Sequence, residues 1–364
     1  MTAKVKCIGI LTGGGDCPGL NAVIRAVVKT AHRQGIQVIG VRDGFLGLMD
    51  RSMKTLESGD VSNILTRGGT ILGSSNKDNP FHIIEKDKSG KIHYYDRSKE
   101  IPENLKRLGI EALIVLGGDG SMTVANRFSK MGIKIVGVPK TIDNDLMGTD
   151  QTFGYDTAVT VATEAIDRLH SVADSHHRVI VVEVMGRYAG WLALGSGIAG
   201  GGDIILIPEI PYDEKKVEGS ILARQQKGKK SSIIVIAEGA HPKGGKMVVD
   251  RINPLSVERV RLGGISRQLA HHLETKSGIE TRSVILGHVV RGGTPTAFDR
   301  NLATLFGVHA LELVRRGQFG RMVTLHHNKM SSVPLSKVGG KCRKVPLNHE
   351  LIRAARHIGI SFGD

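Results

Sequence analysis

Short runs of β-branched and aliphatic residues alternate with stretches of helical spacing along almost the whole chain. Val5 to Leu11 precedes Asn21 to Gln34, Ala112 to Leu116 precedes Met122 to Lys130, and Lys134 to Val138 precedes Asp156 to Ala173. This is the pattern of βαβ units, whose parallel strands are covered on both faces and read as continuous apolar runs. The rhythm resumes with strands expected over Arg178 to Val184, Ile204 to Pro208, Ser232 to Ala237 and Ser283 to Leu286, and helices over Ser256 to Glu274 and Thr296 to Arg316. Ser74 to Ser98 and His241 to Asn253 lack either period and read as loops or hairpin insertions. The expected fold class is α/β: two Rossmann-like three-layer αβα lobes with mostly parallel sheets and the active site in the cleft between them. Residues 1–150 are expected to form the first lobe and 151–300 the second, with part of 300–364 packing back onto the first.

The 364 residues carry 50 Lys+Arg against 35 Asp+Glu, a formal net charge of +15, and 40% are apolar. A single core rarely grows to this length, so two lobes agree with the element count. Gly supplies 47 residues against 11 Pro, about double ordinary Gly usage, which indicates many tight backbone approaches. Cys7, Cys17 and Cys342 include no CxxC pair, so neither a disulfide framework nor a zinc knuckle is indicated and a reducing cytoplasm is expected. No apolar run approaches the roughly 18 to 20 residues that span a bilayer, and no membrane contact is expected. The charge suits nucleic acid or a small polyanion. With 4% aromatic residues, scattered basic residues and no reading motif, nucleic acid is not the expected partner.

Gly-rich and acidic motifs fall where the strands end, the edge at which open α/β sheets bind ligands. Thr12-Gly13-Gly14-Gly15-Asp16 lies between a strand and a helix. Its backbone N–H groups can approach a phosphate with no Cβ in the way, although an ordinary βα turn has the same form. Leu116-Gly117-Gly118-Asp119-Gly120-Ser121 repeats the arrangement and adds Asp119, a carboxylate suited to a metal ion that bridges polyphosphate oxygens. The alternative there is a turn capped by Ser121. Pro139-Lys140-Thr141-Ile142-Asp143-Asn144-Asp145 gathers an ammonium, a hydroxyl and two carboxylates within seven residues. Asp143 can take a proton from a substrate alcohol, and Thr141 can donate to a transferring phosphoryl oxygen. After Met185-Gly186, Arg187 offers a planar fork of donors for charge developing on such a group. Arg282 and the run from His288 to Gly293, including Arg291, are expected at the end of a later strand, with Arg178 at the start of an earlier one. Together these cations suggest recognition of phosphate groups.

Two other patterns are set aside. The literal GxGxxG of Gly195, Gly197 and Gly200 follows a helical pattern and leads into a strand, the wrong order for a dinucleotide loop, and reads as helix-exit punctuation. The pairs His176-His177, His271-His272 and His326-His327 place adjacent side chains on opposite faces with no i,i+4 partner, so no metal set is indicated.

GGDGS at 117–121, PKTIDND at 139–145, MGR at 185–187 and GHVVRGG at 287–293 occur in order behind an N-terminal GGGDCPGLNA. With these motifs the chain resembles the 6-phosphofructokinase family over residues 1 to about 325. The resemblance implies a cytoplasmic, glycolytic enzyme that transfers the γ-phosphoryl group of MgATP to the 1-hydroxyl of fructose 6-phosphate. Asp143 would be the general base, with Thr141, Arg187 and Lys140 assisting catalysis. Gly14, Gly15, Asn76, Lys77, Gly118, Asp119, Gly120 and Ser121 would contact ATP, with Asp119 on Mg2+. Thr141, Ile142, Met185, Gly186, Arg187 and Glu238 would position the sugar. His288 and Arg291 would bind its 6-phosphate together with Arg178 and Arg282, which reach in from a neighbouring subunit of a homodimer or homotetramer.

Within the family, Gly120 with Lys140 is similar to the long-chain mixed-substrate group. The two positions point to different donors. Gly120 leaves room for the α-phosphate of ATP, where pyrophosphate users carry Asp. Lys140 is Gly in the short bacterial ATP enzymes and Lys in pyrophosphate enzymes. A steric block excludes a donor more firmly than an extra cation does, so ATP is the expected donor and pyrophosphate the alternative. Ser75-Asn76-Lys77-Asp78 replaces an Arg that contacts ATP in the short enzymes. Their effector pocket is matched by Arg25, Arg67 and Lys229 but departs at His170 and Asp203, so no effector is implied.

Overall fold

The computed structural model describes residues 5–75, 79–256 and 259–364. Asn76, Lys77 and Asp78 lie outside the described residues.

The first half of the chain runs β1 (Cys7–Thr12), α1 (Leu20–His32), β2 (Gln37–Val41), α2 (Phe45–Asp50), β3 (Met53–Thr55), the hairpin β4 (Ile83–Lys86) and β5 (Ile92–Tyr95), α3 (Glu100–Arg107), β6 (Ala112–Gly117), α4 (Asp119–Lys130) and β7 (Ile135–Pro139). It continues with α5 (Tyr155–His176), β8 (Val179–Val184), α6 (Trp191–Ala199), β9 (Ile204–Leu206), α7 (Glu214–Gln226) and β10 (Ser232–Ala237). The remainder comprises the hairpin β11 (Val249–Ile252) and β12 (Val260–Leu262), α8 (Ile265–Ser277), β13 (Thr281–Ile285), α9 (Ala297–Arg315), the hairpin β14 (Arg321–His326) and β15 (Lys329–Pro334), and α10 (Glu350–His357).

Two sheets organise these elements. The larger has seven strands in the order β15-β14-β7-β6-β1-β2-β3, parallel except at its two outer strands, and the smaller has four, β13-β8-β10-β9, all parallel. Alternate residues of each strand serve different cores. Ile8 and Ile10 of β1 and Ile180, Val182 and Val184 of β8 enter one core shared by both sheets, whereas Leu11 faces a second core and Val179 and Val181 a third. The shared core is filled by α1, α5, α6 and α9, so each sheet has helices on both faces and the architecture is the expected α/β one. Phe153 and Phe306 meet there with ring centroids 6.4 Å apart.

Close helix contacts explain the literal GxGxxG. Gly200 caps the C-terminus of α6, as the helix-exit reading expects, but Gly195 and Gly197 lie inside the helix; a Cβ at Gly197 would stand 2.8 Å from Ile205, and one at Gly195 2.8 Å from the Tyr155 hydroxyl. Gly197 lets the helix approach the small sheet, and Gly195 lets it approach α5. A second correction concerns residues 256–264, expected as helix. There β12 returns to pair with β11, and α8 begins only after Gly263 and Gly264, both with positive φ. Buried Glu183 of β8 sets that start by accepting from Gly264 N at 3.0 Å and from Ser266 N and Oγ at 3.0 and 2.7 Å. The stretches 74–98 and 241–253 contribute hairpin strands, as expected. No helix among the described residues is long and apolar enough to cross a membrane.

α5 and α9 start side by side and cap one another. Asp299, fully buried in the first turn of α9, accepts from Thr157 N and Oγ1 at 2.8 and 2.6 Å, while Thr296 donates from its N to Thr157 Oγ1 at 3.0 Å and from its Oγ1 to Asp156 at 2.6 Å. Two carboxylates thus face two positive helix ends. Burial pushes the Asp299 carboxyl up to about 6 in spite of these bonds. Asp299→Ala strands the Thr157 donors and is expected to cost about 1–3 kcal/mol, read as a lower urea midpoint; an unchanged midpoint would refute the capping role.

Candidate active site

The carboxyl ends of the adjacent parallel strands β1, β6 and β7 lie side by side, and glycines follow the first two. Gly13 N–H donates to Leu116 O at 2.8 Å and Gly14 N–H to Ser75 O at 3.0 Å, fastening the first loop to its neighbours. Gly14 has φ +77°. A Cβ on Gly13 would stand 2.7 Å from Ser121 Oγ, and one on Gly15 would overlap the Arg291 guanidinium. Ser121 fills the space left by Gly13 and Gly117 and does not cap α4, whose N-cap is Gly118 without a side-chain bond. Gly120 differs: nothing lies within 4 Å of a Cβ built there, and the residue is exposed.

Lys140, 5% exposed, extends beneath the first loop and donates from Nζ to Gly15 O. Burial lowers its pKa, while the nearby Cys17, Asp16 and Asp143 oppose that shift. Asp119 Oδ1 accepts from Gly340 N at 2.6 Å. In the loop after β7, Asp143 N–H donates to Thr141 Oγ1 at 3.1 Å, and Asn144 adopts φ +50° with its Oδ1 accepting from Thr152 N at 3.1 Å. Ile142 is buried beneath them.

Asp143 Oδ1 is buried and has no hydrogen-bond partner among the described residues. Burial first, then the charges of Asp145 and Glu238, push its carboxyl up to about 8 against the opposing pull of Arg291 and Lys140. Asp145 is raised as well, by burial foremost and by Asp119 in part. Glu238 is close enough for its charge to act on Asp143, in keeping with the small lobe facing the loop after β7. Glu238 follows β10 and donates from its N to Val184 O at 2.9 Å, which sets it beside Met185, Gly186 and Arg187 at the end of β8. Gly186 has φ +138°, and a Cβ there would lie 2.9 Å from Ala189 O. Arg187 Nη2 donates to Val260 O of β12 at 2.8 Å.

The remaining cations divide. His288 is exposed on the short helical turn Gly287–Arg291, and Arg291 crosses to the first loop, pairing with Asp16 Oδ1 at 2.9 Å and donating to Asp16 O at 3.2 Å. Arg282 is at the start of β13, not at its end as the sequence suggested, in register with Ile180. It pairs with Glu274 at 2.6 Å and shares Glu280 with Arg178, at 3.0 and 2.9 Å respectively. Both arginines therefore stand at the far end of the small sheet, roughly 16 Å (Arg282) and roughly 23 Å (Arg178) along β8 from Met185, and point away from the ligand edge of this chain's own cleft.

Comparison with known proteins matches residues 7–314 to Phosphofructokinase. An ATP-dependent 6-phosphofructokinase 2 of Clostridium perfringens is 52% identical over 366 residues, covering 100% of both chains. The chain belongs to the phosphofructokinase family. A pyrophosphate–fructose 6-phosphate 1-phosphotransferase of Streptomyces coelicolor is 48% identical over 359 residues, covering 98% of this chain and 99% of that one. Phosphofructokinase of Pichia pastoris, solved in the T-state, superposes with a TM-score of 0.78 at 34% identity over 92% of this chain; this chain spans 35% of that longer one.

Sequence reasoning missed several residues of this phosphofructokinase-family site. Asp16 holds Arg291, Val260 holds Arg187 through its carbonyl, and Gly340 reaches Asp119 from the far C-terminal segment. The only local signal for the last was the Gly339-Gly340 pair before the basic run from Lys341 to Lys344. At the departures from the family's effector pocket, Asp203 pairs with Arg224 at 2.8 Å and accepts from Ile233 N at 2.9 Å, and His170 Nε2 lies 2.6 Å from Gly200 O.

Carboxyl NMR of the ligand-free protein should show Asp143 titrating above pH 6, identified by loss of the signal in Asp143→Asn. Lys140→Met removes a cation that favours the charged carboxylate, so the midpoint should rise further. An Asp143 midpoint below pH 5 would overturn this electrostatic picture.

Proposed function

We propose that the chain phosphorylates fructose 6-phosphate on its 1-hydroxyl with ATP, giving fructose 1,6-bisphosphate and ADP. Asp143 carries the reading: a buried carboxylate oxygen with no donor among the described residues, beside a glycine-lined cleft, suits a substrate hydroxyl. The names and full-length similarity of the curated relatives support the same reaction.

ATP would lie along Gly14, Gly15, Gly118 and Gly120, where backbone N–H groups and the α4 N-terminus face its phosphates. The sugar would rest against Met185, Gly186 and Glu238, with its 6-phosphate at His288 and Arg291. Arg291 would then exchange Asp16 for the phosphate. Asp143 accepts the proton as the sugar oxygen bonds to the γ-phosphorus, and the bond from that phosphorus to ADP breaks. Thr141 and Arg187 donate to the phosphoryl oxygens as charge grows on them. Burial and the facing carboxylates raise the Asp143 pKa, and the cations that would assemble there with the substrates favour the charged form that acts as the base.

The residues fit Mg2+. Asp119 is a hard oxygen donor at the open side of the cleft, and the mutual repulsion of Asp119, Asp143 and Asp145 favours a cation. Asp119 would hold the ion, which when bound offsets charge on the phosphate oxygens. Arg178 and Arg282, turned away from this chain's cleft, would complete a neighbouring subunit's 6-phosphate site in a cytoplasmic homodimer or homotetramer.

Asp143→Ser is expected to lower turnover by at least ~10²-fold while fructose 6-phosphate affinity, read by equilibrium binding, stays nearly constant; near-normal turnover would sink the assignment. Donor choice rests on the open space at Gly120. A coupled assay of fructose 1,6-bisphosphate formation should respond to ATP and not to pyrophosphate. Gly120→Asp suits the first turn of a helix yet sets a carboxylate against the donor, so ATP-dependent kcat/KM should fall roughly 10²-fold or more. Pyrophosphate-driven activity in the unmodified protein would instead give Lys140 control of the donor.

A further inference from the structure

Beyond β15 the chain leaves the large sheet, crosses to the small lobe over residues 339–345, and touches the catalytic loop on the way. This crossing lies outside the 7–314 region matched to the family. Gly340 N–H bonds Asp119, the chain pairs antiparallel where Cys342 meets Leu146, and Arg343 N–H donates to Asp145 O at 2.7 Å. The Arg343 guanidinium donates from Nε to Asn144 O at 3.1 Å and from Nη1 to Thr149 O and Asp150 O at 2.9 and 2.8 Å. Its other face lies 4.4 Å from the centre of the Trp191 ring, and Trp191 Nε1 donates to Arg343 O at 2.9 Å. Val345 N–H then donates to Glu209, which also receives Gly190 N–H beside Trp191.

We infer that Arg343 is a positioning residue for phosphoryl transfer: it holds the loop carrying Asp143 in its catalytic shape and registers that loop against the small lobe through Trp191. The inference rests on the proposed role of Asp143. Three observations carry it. Asn144, next to Asp143, has a left-handed backbone, which Asn tolerates better than most residues but which still gains from being held. Arg343 adds to the hold that Thr152 N–H has on Asn144 Oδ1 by binding the carbonyl of Asn144 itself and two more at the loop's far end. A planar fork on an aromatic face has a single orientation, which an ammonium or a neutral side chain does not reproduce. Arg343 touches no reacting atom, so its effect is on the placement of Asp143, where a displacement near 1 Å costs on the order of 10²-fold in rate.

The test uses the full chain. Arg343→Ala should lower kcat for fructose 1,6-bisphosphate formation about 10²-fold and shift KM for fructose 6-phosphate by less than about threefold. Guanidinium chloride at low millimolar concentration should restore at least about tenfold of the lost turnover, because the cavity and its three carbonyls remain. Trp191, the sole tryptophan, reports docking of the crossing directly, and its emission should move in Arg343→Ala and return with guanidinium. Should Arg343→Ala fail to fold, Arg343→Lys gives the same reading, with reduced kcat and a nearly unchanged KM. A kcat within threefold of the unmodified protein, or a loss that guanidinium does not reverse and that matches the fraction of protein unfolded, would overturn the inference. Unmodified protein inactive toward fructose 6-phosphate, or an active Asp143→Ser, would refute the parent reading instead.

Discussion

Everything at this site depends on backbones approaching where no Cβ intervenes. Gly13, Gly15 and Gly117 leave voids that Ser121 and Arg291 occupy, and Lys140 Nζ reaches the Gly15 carbonyl only because the first loop lies directly over it. A methyl group at Gly15 would displace the guanidinium that ties the small lobe's turn to the large lobe's loop. The high glycine content of the chain is therefore a packing requirement of the cleft as much as a source of turn flexibility.

The second organising feature is an excess of negative charge in a sparsely solvated place. Asp119, Asp143, Asp145 and Glu238 approach from both lobes, and their burial and mutual repulsion raise the affinity of Asp143 and Asp145 for protons. Lys140 and Arg291 only partly answer this. A site so arranged gains from a ligand that brings hydrogen-bond donors and a metal, and it disfavours negative charge that no metal shields.

Much of this was readable in the sequence because the strands are buried on both faces. Continuous apolar runs such as Ile204 to Leu206 and Ser232 to Ala237 have no other stable placement, and the ligand edge of a parallel sheet follows from strand direction alone. The PKTIDND and MGR segments were legible for the same reason, since each ends such a run. What escaped was set by contacts between distant residues. The start of α8 is decided by Glu183, some eighty residues away, and Arg282 fell at the wrong end of β13 because a strand's limits depend on its pairing with β8. Arg343 lies in a segment without periodicity, where its role comes from carbonyls that the chain presents nearly two hundred residues earlier.

The pairing of β14 with β7 has a consequence for synthesis. β7 ends at Pro139 and its outer neighbour begins at Arg321, a separation of 321 − 139 = 182 residues. Until those residues have left the ribosome, β7 presents an open apolar edge, the kind that templates pairing with another nascent chain. The strands of the small sheet all lie between Val179 and Ile285 and can pair earlier, although its outer strand β9 receives its last partner only when Ser361 arrives beside Ile204. Assembly is thus expected to finish at the seam between the lobes, with the last hairpin sealing the large sheet and the C-terminal crossing settling over a loop after β7 that was synthesised long before it.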